Sequence, residues 1–353
     1  MLILSIAVSA LIGSAVAGKI NRRKFVFLWL VTGIAVSVPI LFFHGEEFLV
    51  IWSIVAGLSF GFGFPSCQAY LAESTIPEER GRVAGLGILV TFVLVILAFL
   101  LKSVYTLEAT GLLLLLIGIK SLGFLSFLLD PIERAENEAK SWRVVLGSRD
   151  FNFYLLAFIL FLVAAGLVSL LWQAVPSTEE YVAAGESGQV LRLLILCVSA
   201  IIAGVAADRV GRKKPIIFGT IILGVAYAVV GLFTTADTYF ATLILSGLAW
   251  GILMVLYLVI PGDLAFPGST ERFYTVGWVL PLILYIGVEG SGSLIGVYPI
   301  DIFSTILSII LFVSVLPVLF AVETLSESKI RERKLKEYTE KVGKIIKETK
   351  KEE

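Results

Sequence analysis

Uninterrupted apolar runs of about twenty residues constrain this chain more than any other feature. Eleven are legible, at 2–18, 25–43, 49–71, 83–101, 109–129, 151–174, 189–207, 215–234, 238–260, 274–290 and 301–322. As a helix, a run of that length crosses ~30 Å of hydrocarbon with its backbone groups satisfied internally. Outer-membrane barrel strands instead alternate apolar and polar over roughly ten residues, and that pattern is missing. Of the 353 residues 58% are hydrophobic and 16% charged, against about half and a quarter in soluble domains. Disorder is excluded for nearly the whole length by the same figures. Cys67 and Cys197 lie singly in apolar stretches, so no disulfide scaffold is expected. With His44 the lone histidine, and no metal-spaced ligands, Ser–His pair or paired intramembrane carboxylates, neither an enzyme nor a metal or other cofactor is expected. No basic residue precedes the first run, which argues against a cleavable signal peptide.

A formal net charge of zero conceals a strong asymmetry. All but three of the 28 Lys and Arg fall in alternate connections or in the tail. These are Lys19 to Lys24, Arg80 and Arg82, the central Arg134 to Arg149 segment, Arg209 to Lys214, Arg272, and the tail after Glu323. The exceptions are Lys102, Lys120 and Arg192. The positive-inside rule puts the basic connections and the C-terminus in the cytoplasm. With an odd number of spans, the N-terminus as numbered is outside. A multi-pass protein in the plasma membrane of a prokaryote is expected.

The chain also repeats itself at an offset of 190. Ala17-Gly-Lys-Ile-Asn-Arg-Arg-Lys24 aligns with Ala207-Asp-Arg-Val-Gly-Arg-Lys-Lys214. The same offset pairs Gly57 with Gly247, Gly61 with Gly251, Glu73 with Asp263, Pro77 with Pro267, Arg82 with Arg272 and Gly87 with Gly277. This predicts an all-α, polytopic protein of two related bundles, five spans plus six. Residues 1–129 form one bundle, 130–150 a cytoplasmic linker, 151–322 the second bundle, and 323–353 a charged amphipathic tail. The tail is read either as a solvated helix or as one that docks on anionic lipid or a partner. Span 151–174 should have a counterpart ahead of Met1, so the first helix of a twelve-helix plan is the one missing.

Gly204-Val-Ala-Ala-Asp208-Arg209-Val-Gly211-Arg212-Lys213 resembles the cytoplasmic motif of the major facilitator superfamily. Tyr70-x-x-Glu73-x-x-x-Pro77-x-x-Arg80-Gly81 is similar to that family's loop after helix four. The resemblance implies a two-bundle permease that moves a small solute by alternating access, as a monomer in the bilayer, with no nucleic-acid partner and with a coupling ion left open. It implies a cytoplasmic latch in which Asp208 meets a helix N-terminus and Arg212 forks onto a carboxylate. Glu73, Arg80, Arg82, Asp263 and Arg272 would supply its partners. The alternative is ordinary positive-inside charge. In the first copy Gly18 replaces the acid and Asn21 the glycine, so that latch is expected to be weak. Ser53 stands where the family often carries an arginine, and antiporter glycine–proline patterning is absent after Gly85, which argues against a drug/proton antiporter.

Substrate would be met near the midplane between the bundles. The resemblance directs attention to Gln68, Asn152, Gln173, Trp250 and Tyr257. Trp250 either contacts substrate or packs in the core, and Trp172 reads as an interfacial belt residue. Lys120 lies too deep to snorkel easily and is a functional candidate by default, although burial can also neutralise it. Arg192 reaches either headgroups or substrate. The competing reading is a transport-inactive scaffold, sensor or truncated remnant, motivated by the missing first span.

Overall fold

Apolar segments that satisfy their own backbone bonds become helices, and helices account for all regular structure among the described residues. The computed structural model describes residues 2–17, 21–43, 45–105, 109–129, 141–173, 175–290 and 299–325. The helices are α1 (Leu2–Ala17), α2 (Arg22–Ser37), α3 (Glu46–Ser74), α4 (Pro77–Tyr105), α5 (Ala109–Leu122), α6 (Leu125–Leu129) and α7 (Trp142–Leu146). They continue as α8 (Arg149–Gln173), α9 (Glu179–Val210), α10 (Lys213–Leu232), α11 (Ala236–Leu264), α12 (Thr270–Gly290) and α13 (Ile300–Phe320). Nine segments among the described residues are long and apolar enough to cross a bilayer. Leu2–Ala17 and Leu113–Phe127 are apolar but shorter. The expected span 109–129 is bent at Gly123 and Phe124, whose N–H groups bond three residues back to Lys120 and Ser121. Most of the predicted tail and linker, at 326–353 and 130–140, lies outside the described residues.

Helix starts follow local chemistry. Asn21 caps α2 by accepting from Lys24 N, and Thr235 and Thr238 form a reciprocal capping box on α11. Glu46 and Glu47, Glu78 and Glu79, and Glu179 and Glu180 occupy first turns, where carboxylates complement the helix dipole.

The repeat seen in the sequence reappears in the packing. Helices α3 and α11 are each 29 residues long and start 190 residues apart. Each crosses its partner, α1 or α9, so closely that only glycine fits. A Cβ on Gly61 would lie 2.2 Å from Ile6 O and 2.3 Å from Ser9 Oγ. A Cβ on Gly251 would lie 2.5 Å from Leu196 O and 2.0 Å from Ser199 Oγ. The contacted atoms are themselves offset by 190, so one helix crossing occurs twice, built on small residues as membrane interfaces are.

The bundles are not furnished alike. In the second, α8 supplies Tyr154, Phe158, Phe161 and Leu171 to a core shared with Leu253, Leu256 and Tyr257 of α11 and Leu307 and Leu311 of α13. The first bundle has no comparable cluster among the described residues. Large apolar side chains such as Val90, Val198, Ile202 and Phe312 face outward. In a membrane protein such residues meet acyl chains, so no hydrophobic penalty attaches to them.

The two bundles meet along α4 with α9 and α1 with α12. The first crossing is the tighter. A Cβ on Gly204 would lie 2.3 Å from Gly81 O, and one on Gly85 would lie 2.6 Å from Ala200 O. The offset replaces Gly81 by Glu271 and Gly204 by Ser14 at the second crossing.

Candidate functional site: a buried charge cluster at one end and an aromatic interior

Where α9 ends, Gly211 adopts φ 94°, a conformation that L side chains avoid. A Cβ there would also lie 2.4 Å from Glu323 Oε2. The turn brings Arg212 back over Asp208, four residues earlier, with Arg212 Nη1 donating to Asp208 Oδ1 at 2.9 Å. The same carboxylate accepts the backbone N–H groups of Gly81 and Arg82, each at 2.9 Å, and Arg82 Nε at 3.3 Å. Asp208 therefore seats on the opening turns of α4, as anions do at helix N-termini. Gly81 is needed for this approach, because its Cβ would lie 2.6 Å from Asp208 Oδ1.

Arg212 is fully buried. Its Nε donates to Asp263 Oδ2 at 2.9 Å and its Nη2 to Pro77 O at 2.5 Å. Burial pulls the guanidinium pKa down, but Asp263 and Asp208 outweigh it and raise the value above normal. Arg212 thus stays charged through any working pH. Asp263 also receives Arg80 Nη1 at 2.5 Å, and Arg80 Nη2 bonds Ala72 O. Asp208, Arg212, Asp263 and Arg80 form one buried, alternating chain of charge across the two bundles, satisfied further by backbone carbonyls. Buried ions need such company.

A second ion-pair cluster joins α2, α3 and α12. Arg22 bridges Glu73 of α3 and Glu271 of α12, the latter at 2.7 Å. By offset, Arg22 is the counterpart of Arg212, Glu73 of Asp263, and Gly18 of Asp208. The acid absent at position 18 is replaced by Glu271, which occupies the repeat position of Gly81. The carboxylate lacking at position 18 is thus supplied by the facing helix, in pairs more exposed than those of Arg212.

Other predicted members of the latch are placed differently. Arg272 lies over the Trp142 ring, its guanidinium carbon 5.2 Å from the centroid. Arg209 is exposed. Lys213 Nζ ties to Leu319 O and Ala321 O at the end of α13. Glu323 accepts the backbone N–H groups of Arg212 and Lys213. Sequence reasoning missed Arg22, Glu271 and Glu323 here; for Arg22 and Glu271 the signal was the repeat, which aligns Arg22 with Arg212 and leaves position 18 without an acid.

A series of aromatic rings runs through the core of the second bundle and reaches the first bundle at Phe64. Phe64 of α3 meets Trp278 edge-on at 6.0 Å, and Trp278 meets Phe158 at 5.2 Å. Phe158 stacks on Tyr257 at 4.1 Å, and Phe161 meets Trp250 at 4.9 Å. Four polar atoms on α3, α11 and α12 are buried without a partner among the described residues: Ser66 Oγ, Gln68 Oε1, Tyr257 OH and Trp278 Nε1. Each such atom costs ~1–3 kcal/mol unless something bonds it.

Of the remaining predicted residues, Asn152 is exposed and its amide donates to Leu146 O at 2.8 Å, closing the end of α7. Arg192 reaches Gln189 Oε1 on its own helix at 3.3 Å. Gln173 ends α8, and its side chain lies outside the described residues. Lys120 donates to Ser37 Oγ at 2.7 Å and Gly33 O at 3.3 Å, within the first bundle.

A family model described as Major Facilitator Superfamily matches residues 1–278. No curated protein sequence matches significantly. Among solved structures, the human organic anion transporter MFSD10 (TETRAN) aligns with a TM-score of 0.70 at 13% identity, covering 90% of this chain and 81% of that one. The Escherichia coli fucose:proton symporter FucP aligns at 0.69 and 12% identity, covering 91% and 90%. The proton:xylose symporter XylE, bound to 6-bromo-6-deoxy-D-glucose, aligns at 0.64 and 14% identity, covering 91% and 85%. At these identities the likeness is one of fold.

Proposed function

We propose, from the premise that the chain belongs to the Major Facilitator Superfamily, that it is a secondary transporter moving a small solute by alternating access. Family and fold together make it a membrane solute transporter; the mechanism and the site are our reading. The observation that carries it is where the ion pairs between bundles lie. Among the described residues, Arg80–Asp263, Arg82–Asp208 and Arg22–Glu271 all gather at the end rich in Lys and Arg. By the positive-inside rule that end is cytoplasmic, the membrane being a prokaryotic plasma membrane with the C-terminus inside. The arrangement described then has its cytoplasmic side locked.

Opening that side separates Asp208 from the start of α4 and Asp263 from Arg80, while Arg212 keeps both acids of its own bundle. The lock is thus reversible: the charge that stays buried keeps partners in either state. Substrate would be met at Tyr257 and Gln68, with Ser66 and Trp278 joining them, since each holds a buried polar atom without a partner, and at Trp250, whose ring adjoins Phe161. Small solutes fit this reading, as does a coupling ion, because two of the structural neighbours are described as proton symporters.

The test is solute uptake into proteoliposomes holding the purified chain, screened over sugars, organic acids, amino acids and drugs. Saturable uptake of one class, reduced by Trp250→Ala and by Asp208→Asn with Arg212→Ala, is expected. Uptake unchanged by all three substitutions would refute both the site and the lock.

A further inference from the structure

We infer that the second bundle carries a lipid site on its outer face: a groove that holds one tail of an anionic phospholipid, with the phosphate on Lys214. Helices α9 and α10 each pack on α11 far more than on each other, which leaves a furrow between them. Leu194, Val198, Ile202, Ala206 and Val210 recur every fourth residue along α9 and form one side. Pro215 and Phe218 of α10 form the other, and Leu248 and Ile252 of α11 form the floor. Two hollows of about 290 Å³ and 220 Å³ join there, sharing Ser199, Ile202 and Leu248. At 1.5 Å per residue the side formed by α9 is ~24 Å long, the reach of an extended lipid tail. Every residue of the groove belongs to the second bundle, all six of whose spanning helices, α8 to α13, are described.

The lining offers hydrocarbon and one cation. Its hydroxyl, Ser199 Oγ, already donates to Leu196 O on its own helix at 3.1 Å, so the Lys214 ammonium is the polar side-chain group left for a ligand. Lys214 stands at the basic end of the groove, is exposed, and makes no ion pair among the described residues. Its neighbour Lys213 is spent on Leu319 O and Ala321 O. Arg209, also exposed, adds positive charge one residue before Val210. Val198, Ile202 and Phe218 are exposed as well, so the groove opens toward the acyl region of the bilayer. A phosphate at headgroup level with a tail running along α9 matches this layout, and basic pockets between helices at the cytoplasmic side suit anionic headgroups.

The groove departs from the repeat. By offset, Lys24 corresponds to Lys214, Phe25 to Pro215 and Phe62 to Ile252. In the first bundle the rings of Phe25 and Phe62 pack together with centroids 5.1 Å apart, filling the place that the smaller Pro215 and Ile252 leave open. The same charge stands at the same position in both halves, over a ring pair in the first and over a groove in the second. The repeat thus supplies its own control for separating a bound lipid from general attraction to a basic surface.

The test uses the full chain in phosphatidylcholine nanodiscs doped with a phosphatidylglycerol whose tail carries a photoactivatable diazirine, and maps the crosslinked peptides by mass spectrometry. At fixed probe content, replacing host lipid by unlabelled phosphatidylglycerol should abolish crosslinks within 194–210 and 248–252, and replacing it by phosphatidylethanolamine should not. Lys214→Met should lower crosslinking there about fivefold, the worth of one lysine beside anionic lipid. Lys214→Arg should retain it, Lys24→Met should leave it unchanged, and Ala206→Phe, which fills the groove, should lower it. Soluble glycerophosphoglycerol should not displace the probe; displacement would reduce the site to a headgroup contact and overturn the groove. The comparison of the two competing lipids needs no variant and stands even if Ala206→Phe fails to fold. Equal displacement by both lipids, equal losses in Lys214→Met and Lys24→Met, or undiminished crosslinking in a folded Ala206→Phe protein would overturn the site. Binding is read without transport, so its failure and failure of the transport reading are separable.

Discussion

Replacing Asp208 by Asn should unlock the basic end while leaving the bundles folded. Asp208 is 2% exposed, and its carboxylate accepts two backbone N–H groups from the other bundle, each at 2.9 Å. Hydrogen bonds to a charged group are worth ~1.5–3 kcal/mol each. Losing one of the two gives ~1.5–3 kcal/mol, a shift of roughly 10- to 100-fold between locked and unlocked states. The neutral amide keeps one acceptor oxygen but turns an NH₂ toward a second donor, so it cannot serve both. Arg82 provides the internal control. Its side chain is 52% exposed and only 3.3 Å from Asp208, so Arg82→Ala should cost under ~1 kcal/mol. The assay is a distance distribution between spin labels on exposed Ile76 and Leu146, in a chain with Cys67 and Cys197 replaced. Asp208→Asn should add or enlarge a long-distance population, and Arg82→Ala should not. Identical distributions in both variants would refute the assignment of the lock to the carboxylate.

Three further outcomes follow from the same contacts. Glu271→Gln should weaken the second ion-pair cluster by about tenfold in the same distance measurement, at ~1.5 kcal/mol for one charged bond; adding Gly18→Asp should restore part of it, since position 18 is the repeat counterpart of Asp208. Tyr257→Phe removes a buried hydroxyl that has no partner, so it should raise thermal stability by ~1 kcal/mol while lowering substrate affinity; an unchanged melt with unchanged uptake would count against a substrate role. Gly251→Ala would press a Cβ to within 2.0 Å of Ser199 Oγ and 2.5 Å of Leu196 O, so it should destabilise the detergent-solubilised protein by ~1–3 kcal/mol, readable as a lower melting temperature.

The apolar runs, the alternation of basic connections and the offset of 190 were legible without coordinates because each reflects a one-dimensional rule. A backbone in hydrocarbon must be helical, positive charge stays on one side, and a duplicated bundle keeps its glycines where its helices cross. Gly61 and Gly251 illustrate the third rule: identical letters at one offset became identical crossings. Asp208 and Arg212 were legible as a motif, whereas their meeting depends on the turn at Gly211, whose φ of 94° brings Arg212 back over Asp208.

What remained hidden depended on which helix faces which. Sequence reasoning read the first copy of the motif as deficient because Gly18 has no carboxylate. Only packing brings Glu271, from a helix some 250 residues away in sequence, onto Arg22. Arg272 matched Arg82 by offset, yet the fold lays it over Trp142, a ring on α7 that the offset gave no reason to expect there. Asn152 was polar in the right span but lies at its end, bonded to Leu146. Lys120 was conspicuous in the sequence as a charge in hydrocarbon; that it bonds Ser37 and Gly33 inside one bundle, rather than facing the space between two, was decided by tertiary structure alone. Sequence fixes how polar a residue is and how deep it lies along its own helix, but the rotation of that helix against its neighbours depends on side chains far away in the chain.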